Sequence, residues 1–358
     1  MISTRSTAAL FFTGALFSVS LAVEGPAFAP DEGSVVSREY SIEQDYQLDS
    51  FSVQVNGEDL SGMIGELEFT MRIESGIRVT DEYAALGDGR PTKLSRTFDG
   101  LESSTTVNTM TNFGGEQQDF EASSDLEGAT VLFVWDEDDE EYEITFEDGE
   151  SDDDLLGGLN EDMDLRVFLP EDDVSAGDSW TVELEDLAPL ATPGGNLQLV
   201  PDEMEGAEDM DLDFFEEIGE DFAEEFGELF EGECVCTFKE IREKGGEKLA
   251  EIAIDIEIAS AANIADMLME VVNAIGEQFG GEAPEMDIES ADINFDFDGE
   301  GTLFWNMSVG RAESFEISGE AIIGFELAVL IEAEGDSQTI EASIEMSGTY
   351  NQAAEMSE

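Results

Sequence analysis

Apolar and charged residues alternate along much of this chain, and the alternation limits what it can fold into more than any other feature. Between Glu66 and Glu74 every second side chain is apolar, namely Leu67, Phe69, Met71 and Ile73. The same period returns over residues 251–258, where isoleucines alternate with mostly acidic residues. Because successive side chains of a strand point to opposite faces, the pattern predicts β-strands with one buried face and one solvated, acidic face.

Strands of this kind account for most of the chain. Alternation or short apolar runs occupy residues 40–55, 77–83, 92–98, 129–135, 142–146, 174–184, 234–241, 249–259 and 286–350. The chain has 358 residues, of which 41% are hydrophobic and 24 are Phe, so it can bury a large core. We expect a mainly β protein with a few helices (α+β). Its two halves of curved antiparallel sheet would form a half-barrel or sandwich packed on amphipathic helices.

A cluster of Pro and Gly marks the best division of the chain. It spans residues 189–206, which we interpret as a linker. We expect a β-rich N-terminal half over residues 30–188 and a β-rich C-terminal half with two helices over residues 207–350. Residues 351–358 would form a short tail.

Two segments of the second half have helical spacing. Five apolar residues recur at intervals of three and four within an acidic stretch that contains no Lys or Arg: Phe215, Ile218, Phe222, Phe226 and Leu229. A second apolar stripe runs from Ile264 to Phe279. Both patterns predict amphipathic helices, the first with an anionic outer face.

The charge balance excludes several kinds of partner. The chain has 89 Asp and Glu against 13 Lys and Arg, with no His, and a formal charge of -76. Nucleic acids and anionic membranes would be repelled. The absence of His removes the commonest general base and the commonest zinc ligand. The acids have two interpretations: a hydrated coat in a salty exterior, or a surface that binds multivalent cations.

The first residues predict export. Arg5 gives a positive start, residues 8–22 form an apolar run, and Ala27-Phe28-Ala29 has the small-x-small form of a cleavage site. We therefore expect residues 1–29 to be a signal peptide. Pro30 disfavours cleavage directly before it, so cleavage after Ala22 or Ala27 is the alternative. The mature protein would be periplasmic or extracellular, with no stable membrane anchor after cleavage.

Two acidic runs are candidate metal sites, because hard cations such as Ca²⁺ prefer carboxylate oxygens. The first lies in six consecutive acids expected at a hairpin tip and includes Asp136, Asp138 and Asp139. The second is Asp152-Asp153-Asp154. A third segment, Asn294-x-Asp296-x-Asp298-Gly299, resembles the opening of an EF-hand loop. It departs from that loop at its twelfth position, where Trp305 replaces the required Glu.

The two cysteines are Cys234 and Cys236, at positions that share one face of a strand. No further Cys and no His complete a zinc site. We interpret the pair as packed thiols or a structural disulfide. A redox or soft-metal site is the alternative.

The sequence contains no motif of nucleophilic, nucleotide-dependent or metalloprotease catalysis. We therefore expect a protein that is not an enzyme and needs no cofactor, apart from Ca²⁺ if the acidic runs bind it. The alternative enzyme is a hydrolase that uses two carboxylates, one with a raised pKa. With so many acids, the sequence nominates no pair.

Two short stretches carry a resemblance. The residues Val174-Ser175-Ala176-Gly177-Asp178-Ser179-Trp180, and the run from Gly301 through Gly319, are similar to stretches of uncharacterised bacterial exported proteins. The sheets of those proteins curve like those of lipoprotein carriers of the LolA and LppX type. The resemblance implies a curved antiparallel sheet, closed by helices, that holds an apolar ligand. It implies no particular functional residue, and this chain has no lipidated Cys after the leader.

The sequence thus favours a non-enzymatic binding protein. Its partner would be an apolar small molecule or lipid between the curved sheet and a helix, lined by Phe215, Phe222 and Phe226. A Ca²⁺-binding surface protein is the second hypothesis and a carboxylate-dependent hydrolase the third.

Overall fold

The computed structural model describes residues 25–65, 67–112, 114–147, 153–201, 230–265, 267–269, 285–333 and 336–357. Most of them lie in strands: β1 Val35–Val55, β2 Glu58–Asp59, β3 Glu68–Gly87, β4 Arg90–Thr111, β5 Gly114–Ser123, β6 Thr130–Asp136, β7 Glu141–Phe146, β8 Ser179–Val182, β9 Val200–Pro201, β10 Phe230–Lys244, β11 Glu247–Asn263, β12 Glu285–Asn306, β13 Arg311–Ala333 and β14 Asp336–Ser357. The helices are short: α1 Ser61–Ile64, α2 Ala188–Ala191, and single 3₁₀ turns at Asp153–Leu156, Arg166–Phe168 and Leu184–Leu187.

The strands form one 14-stranded antiparallel sheet. Its main order is β7-β6-β4-β3-β1-β14-β13-β12-β11-β10-β8. The chain starts at the middle with β1 and builds outward to β7. It then crosses to the opposite edge at β8 and returns strand by strand until β14 pairs with β1. The first and last long strands are therefore neighbours, and the sheet is open at both edges.

Short turns fix the register of the long hairpins. Asp88 and Gly89 join β3 to β4 with φ values of 49° and 77°. Gly245 and Gly246 join β10 to β11 with φ values of 67° and 98°. Two successive residues with positive φ are the signature of a tight hairpin turn that suits the twist of the strands, and Asp-Gly and Gly-Gly favour it.

The sheet has two chemically different faces. Residues opposite each other on paired strands project to the same side, so the register assigns every strand position to one face. The inner face is the one that carries the buried core residues Tyr40, Ile77, Phe315 and Leu303. The outer face carries most of the acids. This is the half-buried antiparallel sheet that the alternation predicts.

A covering segment, residues 153–199 apart from the edge strand β8, lies against the inner face at the end of the sheet where β1 begins. Phe168 of this segment stacks on Phe315 of β13, with ring centroids 5.8 Å apart. Tyr40 of β1 donates a hydrogen bond to the carbonyl oxygen of Met163 at 2.6 Å. One apolar cluster accordingly includes this segment and strands from β1 to β14.

The prediction of a mainly β protein with few helices is confirmed. The predicted linker at 189–206 begins inside the covering segment, where Leu190 and Leu197 are buried. The first predicted amphipathic helix, with Phe215 and Leu229, lies outside the described residues. Of the second, residues 264, 265 and 267–269 are described; Ile264 is not helical, and residues 265 and 267–269 are. The division into halves at 189–206 stays a prediction.

Candidate binding face

The first predicted metal site is the exposed turn between β6 and β7. Asp136 ends β6, and its Oδ1 accepts a hydrogen bond from the backbone N–H of Asp138 at 2.8 Å. Asp138 and Asp139 are exposed in the turn. The carboxylate of Asp136 therefore stabilises the turn, as Asp does in an Asx turn. In the second predicted site, Asp153 and Asp154 are exposed in a 3₁₀ turn, and Asp152 lies outside the described residues.

The segment that resembles an EF-hand opening is part of a strand. Asn294, Asp296 and Asp298 are exposed at alternate positions of β12 on the outer face. A strand spreads alternate side chains along its length, whereas an EF-hand loop folds them around one ion. In the described part of the chain, no group of three or more Cys, Asp or Glu is arranged to hold a metal ion.

The two cysteines lie on the inner face of β10. Both are buried and are free thiols. A hydrogen bond from Cys236 lowers the pKa of Cys234, while the same bond and burial raise the pKa of Cys236. The structure thus shows packed thiols and not a disulfide, and the redox or soft-metal alternative stays a prediction.

The inner face continues beyond the covering segment as an apolar surface, which we call the upper inner face. Each row consists of residues that lie opposite one another on neighbouring strands, in the order β1, β14, β13 and β12. The first three rows continue onto β11. The first row extends from Tyr46 to Ile258, and the last from Val55 to Ile288. The rows are Tyr46-Gly348-Ala321-Phe297-Ile258, Leu48-Met346-Ile323-Phe295-Ser260, Phe51-Ile344-Phe325-Ile293-Ala262, Val53-Ala342-Leu327-Ala291 and Val55-Ile340-Val329-Ile288.

Most of these side chains are only half-buried. At one corner the described residues 264, 265 and 267–269 cover the face, where Ile264 and Leu268 pack with Ile288 and Val329. Elsewhere on the upper inner face the middle rows consist mainly of large apolar side chains, such as Leu48, Met346 and Ile323. Half-buried apolar rows of this length are a surface suited to an apolar contact.

Glycines let aromatic rings lie flat on this face. A Cβ added to Gly319 would be 2.5 Å from the ring of Phe297, and one added to Gly348 would be 2.4 Å from the ring of Tyr46. Phe297 also meets Tyr350 edge to face, with centroids 5.9 Å apart. The glycines thus form shallow seats for the rings, which sets the contour of the face.

Neutral polar groups form the lower edge of the upper inner face. Gln44 of β1 lies opposite Tyr350 of β14. Tyr350 donates a hydrogen bond from its hydroxyl to Oε1 of Gln352 at 2.9 Å, and Tyr46 donates to Oε1 of Gln44 at 3.3 Å. These four residues separate the open apolar rows from the core beneath the covering segment.

The outer face carries carboxylates directly opposite each other. Glu320, Asp298, Glu257 and Glu233 form a ladder across β13, β12, β11 and β10, and all four are exposed. Like charges directly opposite on paired strands destabilise a sheet. The acidic ladder therefore makes stability depend on the ionic strength around it.

A buried ionic network lies on the inner face beneath the covering segment, beyond the polar edge of the upper inner face. Asp81 accepts hydrogen bonds from Arg38 at 2.5 Å and from Arg96 at 2.8 and 2.9 Å. Arg38 also binds Asp164 at 2.5 Å, and Tyr83 donates to the same Asp164 oxygen at 2.5 Å. Burial opposes ionisation of Asp164, but the charges of Arg38 and Arg166 and the hydrogen bonds from Tyr83 and Arg38 together outweigh it, so the pKa of Asp164 is lowered.

This network fastens the covering segment to the sheet. Arg96 donates to the carbonyl oxygens of Asn160 and Glu161, each at 2.8 Å. Glu161 forms an ion pair with Arg166. Burial raises the pKa of Glu161 to about 7, against the opposing effect of Arg166. Because the central side chains are almost completely enclosed, the network acts as a clasp and offers no room for a substrate.

Sequence reasoning missed the clasp, although a signal for it exists. Arg38, Asp81 and Arg96 each occupy the apolar phase of an alternating strand, between residues such as Val36 and Tyr40. A charge in that phase must be buried, and a buried charge needs a partner. Charged residues of opposite sign that stand at apolar positions of adjacent alternating strands therefore predict a buried ion pair.

The predicted ligand-lining residues Phe215, Phe222 and Phe226 lie outside the described residues.

No protein-family model matches this chain, and no curated protein shows significant similarity to it. Among solved structures, the crystal structure of outer membrane protease OmpT from Escherichia coli aligns with 92% of this chain and 97% of that chain. The sequence identity is 9% and the TM-score 0.15, so this match carries no argument about fold or function.

No helix among the described residues is both long and apolar enough to cross a membrane.

Proposed function

We propose that this protein is a non-enzymatic binding protein that holds an apolar molecule on its upper inner face. One observation supports the proposal above all. The apolar positions of the alternating strands continue for five rows beyond the covering segment, and most of those side chains are only half-buried in the described structure. Burying such a surface against a ligand is favourable by about 25 cal/mol for each Å² removed from water.

The composition of the face supports the same proposal. The five rows that begin at Tyr46, Leu48, Phe51, Val53 and Val55 contain no Asp, Glu, Lys or Arg, although acids are frequent on the outer face of the same strands. A charge facing an apolar ligand would lose its hydration without gaining a partner. The charge pattern therefore matches what an apolar ligand requires.

The finer parts of the sequence hypothesis stay predictions. These are the curvature of the sheet, the closure of the ligand site by the helix from Phe215 to Leu229, and export to the periplasm or cell exterior. The Ca²⁺-binding and hydrolase alternatives stay predictions too. For the hydrolase, the strongest candidate acid is Glu161, whose carboxylate is enclosed in the clasp and paired with Arg166.

A matched pair of variants tests the proposal. Ile323 is half-buried on the upper inner face, and its neighbour Ile322 is 47% exposed on the outer face. The purified full chain, stripped of lipid, would be titrated with an apolar dye whose fluorescence rises on desolvation. We expect Ile323→Glu to weaken dye binding at least tenfold and Ile322→Glu to change it less than twofold.

Circular dichroism and thermal unfolding would establish that both variants fold. Equal dye binding by the two variants would place the ligand elsewhere and contradict the proposal. Sedimentation of the unmodified chain adds an independent check. A stable dimer that Ile323→Glu dissociates would show that a second copy occupies the face instead of a ligand.

A further inference from the structure

The polar edge of the upper inner face contains an amide with an unused hydrogen-bonding group. Gln352 is 2% exposed, and its Oε1 accepts the hydrogen bond from Tyr350. Its Nε2 has no hydrogen-bond partner in the described structure. A buried donor left without a partner costs stability, so a ligand atom that accepts from it would recover that cost.

The position of Gln352 connects this donor to the binding face. It lies two residues from Tyr350 on β14 and is opposite Ile42 and Ile317 in the register, so its side chain projects to the inner face. Tyr350 in turn contacts Phe297 of the first apolar row. A molecule lying along the apolar rows would therefore end at Tyr350 and Gln352.

The charge around Tyr350 and Gln352 limits which chemical group the ligand can place there. The apolar rows and the polar edge offer no Lys or Arg to an anionic head group. The whole chain carries a formal charge of -76, which repels anions. A free carboxylate or a phosphate would thus be desolvated without a counter-charge, whereas an uncharged carbonyl would lose little.

We infer that the ligand is an uncharged lipid whose ester or amide carbonyl accepts a hydrogen bond from Nε2 of Gln352 while its chain lies on the apolar rows. This inference rests on the function proposed above and adds the class of ligand. It follows from the unpartnered amide, the register of β14 and the absence of charge on the face.

Three probes of equal chain length distinguish the inference from the broader proposal. They are an n-alkane, the methyl ester of a fatty acid and the free fatty acid at pH 8. Each would compete with the apolar dye for the full chain. We expect the ester to bind roughly fivefold more tightly than the alkane, as one hydrogen bond allows, and the fatty acid anion to bind more weakly than the ester.

A variant then assigns the preference to the amide. Gln352→Met keeps the length of the side chain and removes the donor, so it should abolish the preference for ester over alkane. Asn351→Met is the control, because Asn351 is exposed on the outer face of the same strand. The probe series on the unmodified chain supplies the test even if Gln352→Met fails to fold.

Each outcome decides between the two ideas. Equal binding of ester and alkane would overturn this inference and leave the proposed function intact. Binding of the fatty acid anion as tightly as the ester would overturn the argument from charge. Failure of every probe to bind would overturn the proposed function and this inference with it.

Discussion

Residues 25–29, which precede the first strand, bury Pro26 and Phe28 against the rest of the protein, and removing them gives the sharpest test of the fold. Phe28 is 9% exposed and meets Tyr83 edge to face at 5.7 Å. Its ring also lies 5.0 Å from the guanidinium carbon of Arg166. The carbonyl oxygen of Ala27 accepts a hydrogen bond from Nε1 of Trp305 at 3.1 Å.

The expected loss follows from these contacts. Phe28→Ala should cost about 3–5 kcal/mol, the usual range for a buried Phe. A chain that begins at Pro30 loses the same ring and also leaves the indole N–H of Trp305 without its partner, which costs about 1–3 kcal/mol more. We therefore expect the chain from Pro30 to unfold with at least about 4 kcal/mol less stability than the chain from Val23.

Urea unfolding of both chains, followed by Trp fluorescence, measures this difference. Phe120→Ala in the chain from Val23 is the matched control, because Phe120 is 40% exposed on β5 and its loss should cost well under 1 kcal/mol. Equal stability of the two chains would refute the reasoning that residues 25–29 belong to the core. If export cleaves the leader, the same contacts favour the alternative site after Ala22, and N-terminal sequencing of the exported protein should begin at Val23.

Three further predictions concern the clasp, the upper inner face and the outer face. Because the pKa of Glu161 is raised to about 7, folding binds its proton, so stability should fall as pH rises from about 4.3, the ordinary value, to about 7. Glu161→Gln should remove a part of that fall on the order of 3 kcal/mol, measured as the difference between the two pH profiles of unfolding. Gly319→Val should lower the melting temperature by several degrees, because its Cβ would meet the ring of Phe297, whereas Gly319→Val combined with Phe297→Ala should lose less than the sum of the two single changes. Sodium chloride should raise the melting temperature by screening the acidic ladder, and Glu257→Gln should reduce that salt dependence. If millimolar Ca²⁺ raises the melting temperature well beyond sodium at matched ionic strength, the cation-binding alternative is favoured instead.

The sequence predicts the strands well because the cause is local. Alternation over Leu67 to Ile73, or along β11, reports which side chains face the core without any knowledge of the neighbouring strands. The turns at Gly89 and Gly245 are equally local, since only a few residue types accept positive φ. Strand order is different, because the pairing of β1 with β14 joins residues some 300 positions apart and leaves no trace in either strand alone.

The candidate site was less accessible to sequence reasoning for a related reason. The aromatic residues Phe215, Phe222 and Phe226 attract attention because they form a stripe. Gln44, Tyr350 and Gln352 sit inside ordinary alternation and become a polar edge only when β1 and β14 are adjacent. A site formed by register across strands can be recognised only after the register is known.

The two ends of the inner face differ in charge and in how far the described residues cover them. In its lower rows it contains Arg38, Asp81 and Arg96, and the covering segment supplies Asp164 and backbone carbonyls to satisfy them. A buried charge is tolerated there because its partner is always present. The upper rows offer no such fixed partner among the described residues, and they contain no charge. Where the described residues leave these rows uncovered, the absence of charge keeps the desolvation cost low when an uncharged apolar molecule binds, and this is the physical reason to look for the ligand at that end of the sheet.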